Sequence, residues 1–126
     1  MARNANPQIP TEPRPGFYLV SLARKAWQVG AEIRFDGTLY SCSINGEEIP
    51  GSWTAKDLEG HWADWLTAES ESPIVRIMVR GEPCTEDEYL FRIAMKDWAL
   101  AHAPEHPAAK PTVPIDVRLL PASADF

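Results

Sequence analysis

Residues 85–111, TEDEYLFRIAMKDWALAHAPEHPAAKP, constrain most tightly what this chain can fold into. Thr85 is a good helix N-cap, and Glu88 at the third helical position completes a capping box. Glu86 and Asp87 fall in the first turn, where the helix dipole favours negative charge. Phe91, Ala94, Met95, Trp98 and Ala101 recur at helical spacing as a broad apolar stripe, widened by Leu90 and Ile93. Pro104 and Pro107 forbid continuation. The pattern predicts one long amphipathic helix, with Phe91, Met95 and Trp98 buried against the rest of the fold.

The first half reads as strands. Residues 16–22, GFYLVSL, carry apolar groups on both faces, as a central or covered strand does. Residues 26–35 alternate: Trp27, Val29, Ala31, Ile33 and Phe35 share one face, while Gln28, Glu32 and Arg34 point away. Gly30 within that run marks a bulge or a close backbone approach. Asp36-Gly37 predicts a two-residue hairpin turn with positive φ at Gly37, returning through residues 38–44. Asn45-Gly46 predicts a second hairpin into residues 47–49. Residues 58–68 are expected to form a short helix, from the spacing of Leu58, Trp62, Trp65 and Leu66. Residues 73–80, PIVRIMVR, read as a buried strand, with Val75, Ile77 and Val79 on one face. The expected fold is α+β: a mostly antiparallel β-meander packed by one long helix in the C-terminal half and one short helix.

The chain's 126 residues suit one domain with a single core. Nine of its 12 prolines lie near the two ends. The expected division is a flexible tail over 1–14, one domain over 15–103, and an extended Pro-rich tail over 104–126, in which Ile115, Val117 and Leu119 alternate as a docked edge strand would. The net charge of −6, with no basic run, argues against a grip on nucleic-acid phosphates. No window approaches the ~20 apolar residues that span a bilayer. The first residues hold no apolar signal core. With two cysteines, Cys42 and Cys84, that predicts a cytoplasmic protein with free thiols.

Motifs for chemistry are weak. His102 and His106 have the spacing of a helical metal pair, but Pro104 between them breaks the helix. Adding His61, Cys42 and Cys84 makes a ligand set on paper whose spacings match no zinc pattern. Cys84 precedes a helix N-terminus, which lowers a thiol pKa and favours a nucleophile; the blander alternative is a small buried hydrophobe. Gly-x-Ser-x-Gly and Gly-rich phosphate loops are both missing from the sequence. No catalytic residue, cofactor or metal is therefore expected.

One resemblance enters at the helix and its exit. Glu88, Tyr89, Trp98, Ala99, His102, Pro104, His106, Pro107, Ala108, Pro111 and Ile115-Asp116 resemble the C-terminal part of small uncharacterised proteins encoded by proteobacterial phages and prophages. Pro15-Gly16-Phe17-Tyr18 resembles their opening. The middle of the chain lies outside the likeness. That family has no assigned activity, so the resemblance implies a phage-linked setting and no site residues.

The remaining lead is the stretch around three tryptophans. Trp53, Trp62 and Trp65 lie near Asp57, Glu59, Asp64 and Glu69, with no lysine or arginine between Lys56 and Arg76. Tryptophan anchors protein interfaces, and carboxylates around it suit a basic partner. The competing reading puts two of the three rings in the core. The functional expectation is a non-enzymatic accessory protein acting by contact with a host or phage protein, an inhibitor of a host defence system being one version. The alternatives are a virion or assembly component and a small hydrolase using Cys84 or a metal.

Overall fold

The computed structural model describes residues 9–21, 27–67 and 70–109. The outer parts of both expected tails, Glu69, and the docked strand through Ile115, Val117 and Leu119 lie outside them. The elements run β1 (Gly16–Val20), β2 (Val29–Phe35), β3 (Tyr40–Ile44), β4 (Glu47–Glu48), α1 (Ala55–Leu58), a 3-10 helix (Glu59–Asp64), α2 (Pro73–Arg80), β5 (Gly81–Cys84), α3 (Glu86–His102) and a 3-10 turn (Pro107–Ala109). The expected α+β class is what the chain adopts. Its sheet has the order β4-β3-β2-β1-β5 with every neighbouring pair antiparallel, a meander whose last strand returns to the outer edge of β1.

Local signals explain the turns. Ile44 pairs with Glu47, so Asn45-Gly46 is a two-residue turn, and both residues have positive φ, 57° and 84°. Asp36-Gly37 joins antiparallel strands and Gly37 has φ 104°, but the turn is longer than expected. Phe35 pairs with Tyr40, which leaves four residues in the loop and starts β3 at Tyr40 rather than Thr38. The cause is the Asp36 carboxylate, which accepts the N–H groups of Thr38 and Leu39, both at 2.8 Å. Those donors are therefore satisfied by a side chain instead of a ladder.

One face of the sheet carries the core. Tyr18, Val20, Val29, Ala31, Ile33, Tyr40, Cys42 and Ile44 project to it and pack with Leu58, Trp62, Ile74, Val75, Ile77 and Met78. The last four belong to α2, so residues 73–80 form a helix where a strand was expected. Ser72 caps it, its hydroxyl accepting the Val75 N–H, and Pro73 takes a first-turn position where no N–H is needed. Ile74, Val75, Ile77 and Met78 then fall on one helical stripe. The strand position goes to the next four residues, Gly81–Cys84, whose Pro83 is tolerated because β5 is an edge. Residues 58–68 also differ from expectation: α1 begins earlier, capped by the Thr54–Asp57 box, and then tightens into a 3-10 helix.

The opposite face receives α3, which starts at the expected Thr85–Glu88 capping box. Its docking side is the reverse of the expected one. Phe91 and Trp98 are 55% and 50% exposed, and Met95 is only partly buried. The seam uses Tyr89, Arg92, Ile93, Lys96 and Ala99 instead. Tyr89 lies over Gly30 and packs its ring against Phe17 at 4.8 Å. Arg92 donates to the Gln28 carbonyl (3.2 Å) and sits over the Trp27 ring; Lys96 donates to the Asn45 carbonyl (2.9 Å) and pairs with Glu47. Ala99 packs with Ala108 and Ala109, against Trp27 and Met95. This second face sets Phe17 and Leu19 beside Gly30 and Glu32 and is flanked by the Gln28 and Asn45 carbonyls, so an aromatic ring and long side chains with polar tips fit it.

Candidate interaction surface

The acidic stretch with its tryptophans is built from β3's neighbour, α1 and the 3-10 helix. Trp53 is half-buried and held to Tyr40 by two backbone hydrogen bonds of 2.7 and 2.9 Å. Trp62 is a core residue at 4% exposure, and its indole N–H meets no acceptor among the described residues. Trp65 is half-buried, its ring 6.3 Å from that of Trp62. Thus Trp62 belongs to the core and shows a partner only a small patch, while Trp53 and Trp65 pack against the core half-exposed.

The carboxylates divide likewise. Asp57 is used by its own helix: it accepts the Thr54 N–H at 2.9 Å, and that backbone hydrogen bond holds its pKa below the usual carboxylate value. Glu59 is exposed and Asp64 half-buried. Glu59 lines an open hollow of ≈ 570 Å³ together with Ile9, Glu12, Ala55, Lys56 and Trp62. Glu12 is a member that sequence reasoning missed. Nothing local marks it, because the contact joins the chain's start to residues some 45 positions later. The approach is fixed by Pro13, which is buried, and by Arg14, whose carbonyl accepts the Tyr18 hydroxyl and whose N–H lies 3.4 Å from the Met78 sulfur. The hollow has an apolar floor and two carboxylates at its rim, and among the described residues Lys56 is its one basic lining residue.

The groups considered for catalysis have structural surroundings. Cys84 sits just before α3, yet its thiol pKa is raised, by burial and then by the Glu88 carboxylate, against the lowering effect of Arg92. Burial pushes Cys42 up to about 12. The two lie in β3 and β5 with β2 and β1 between, roughly 14 Å across the sheet, beyond the ~7 Å that a disulfide spans. His106 accepts the Ala108 N–H at 2.9 Å and meets Trp27 edge-on, while His102 lies against Trp98. Among the described residues no three His, Cys, Asp or Glu side chains gather as a metal ion requires. Nor is any described helix long and apolar enough to cross a membrane.

No family model, curated protein or solved structure matches the chain.

Proposed function

We propose that this protein acts in the cytoplasm by contact with another protein, and that the hollow between residues 9–12 and the α1–3-10 segment is where it does so. The observation that carries the reading is the pairing of an apolar floor, Trp62 with Ala55 and Ile9, with the rim carboxylates Glu12 and Glu59. A lysine or arginine from a partner suits such a place: its methylene stem covers the floor and its charge meets the rim. The net charge of −6 favours basic partners over nucleic acid. The raised thiol of Cys84 counts against a cysteine nucleophile. A phage or prophage accessory role, such as inhibiting a host defence protein, is the context we propose, and it rests on the sequence resemblance alone.

The test is capture from a proteobacterial host lysate with tagged wild type and with a Glu12→Lys/Glu59→Lys variant, at low and high salt. Asp57 is left intact because it caps α1, and circular dichroism establishes that the variant folds. The expected result is a partner that wild type holds at low salt, that added salt weakens, and that the variant loses. The same partners on both proteins would remove the hollow from the reading, and no partner on either would remove protein contact.

A further inference from the structure

Among the described residues, neither the fold nor the hollow uses the exposed side of α3. Successive helical residues turn by about 100°, so Leu90, Phe91, Ala94, Trp98 and Ala101 fall in one stripe about 100° wide. All five are exposed, and Leu90, Phe91 and Trp98 are each at least half so. The docked residues Tyr89, Arg92, Lys96 and Ala99 occupy the other side of the same helix. Aromatic side chains clustered on an exposed face mark contact surfaces.

We propose that this stripe pairs with the same stripe of a second copy of this chain, the two α3 helices running antiparallel about a two-fold axis at Ala94. The order of residues carries the choice of occupant. Ala94 is the middle residue of Glu86–His102 and lies on the stripe's midline, so the helices cross at a small side chain and approach closely. A two-fold contact requires a surface that complements itself. Phe91 and Trp98 lie on one side of the midline at nearly equal distances before and after Ala94, so each Phe91 meets Trp98 of the second copy. Asp87 and His102 stand in the same relation at the stripe's ends, which sets a carboxylate beside an imidazole twice. Each helix N-terminus then lies beside the second copy's C-terminal turn, and antiparallel helix dipoles agree with that arrangement. Leu90 and Ala101 fill the other side.

A helix of this length offers a face about 25 Å long and about 10 Å wide, well under the ~800 Å² per partner of a standard interface. The dimer is therefore a weak one that forms in the micromolar range and dissociates on dilution. It does not rest on the role proposed for the hollow, which is built from other elements.

The experiment measures mass by sedimentation equilibrium over a wide concentration range, for wild type, Trp98→Glu and Glu12→Lys/Glu59→Lys. An Ala94→Cys variant is oxidised in parallel, with Leu100→Cys as an exposed control off the stripe. The expected results are a concentration-dependent dimer in wild type and in the hollow variant, and association weakened by at least about tenfold in Trp98→Glu. A crosslinked dimer should form from Ala94→Cys and not from Leu100→Cys. A protein monomeric at every concentration overturns the proposal. So does a dimer that survives Trp98→Glu, and so does one that Ala94→Cys fails to crosslink. Near-ultraviolet circular dichroism of each variant separates loss of pairing from loss of fold.

Discussion

Replacing Gly30 by alanine tests how α3 is docked. An alanine Cβ at this position would lie 2.9 Å from Cδ1 of Tyr89, 3.2 Å from the Tyr89 carbonyl oxygen and 3.4 Å from Cε1. The ring can turn aside, but the carbonyl belongs to the backbone of α3, so the helix itself must shift by a few tenths of an ångström. Tyr89 also packs on Phe17, and the next turn is tied by Arg92 to Gln28 and by Lys96 to Asn45, so the shift disturbs several contacts. Overpacking of this kind costs about 1–3 kcal/mol. Alanine's smaller unfolded-state entropy returns about 0.4–1 kcal/mol. Taken at the middle of those ranges the net expectation is a loss of about 1.3 kcal/mol, read as a lower urea midpoint with unchanged slope. The matching cycle puts Gly30→Ala into Tyr89→Ala, where the penalty should shrink because the ring contacts are gone. A neutral or stabilising Gly30→Ala, or strict additivity in the cycle, would refute the docking of α3 on this face.

Two further outcomes follow from burial and charge. Ile77→Ala, at a fully buried site in α2, should cost about 2–5 kcal/mol, while Trp98→Ala in dilute protein should cost under about 1 kcal/mol because its ring is half exposed; equal losses in thermal melts would contradict the placement of the core. The pKa of Asp36 is lowered by the backbone N–H groups of Leu39 and Thr38, so the native state binds fewer protons than the unfolded state. The stability it contributes is full above its ordinary value of 3.8 and is lost as pH falls below that, so Asp36→Asn should flatten the acid limb of a melting-temperature profile; an unchanged limb would count against the loop geometry.

Much of this architecture was legible because it is local. Asn45-Gly46 reads as a positive-φ turn wherever it stands between alternating runs, and the Thr85–Glu88 box starts a helix whatever lies beneath it. The alternation of Val29, Ala31 and Ile33 and the close approach at Gly30 were visible for the same reason. Asp36 was legible in kind only, since Asp-Gly signals a hairpin but the carboxylate's own hydrogen bonds chose the longer loop. In residues 73–80 the eight residues satisfy period 2 and period 3.6 alike; the choice went to Ser72 and Pro73 at the start and to the edge position taken by Gly81–Cys84.

What only the tertiary structure decided is which side of an element meets what. The amphipathic pattern of α3 announces an apolar stripe without saying that it faces the sheet. The sheet's core face was already closed by α2, and the remaining face, with Gly30, Glu32 and open carbonyls, selected Tyr89, Arg92 and Lys96. The residues expected at an interface divided in the same way. Trp62 went to the core and Asp57 to a helix cap, while Glu12 joined Glu59 from far along the chain. The sequence by itself determines hydrogen-bonding and turn preferences, because these act over a few residues. Burial is a property of two surfaces meeting, and a single chain segment encodes only one of them.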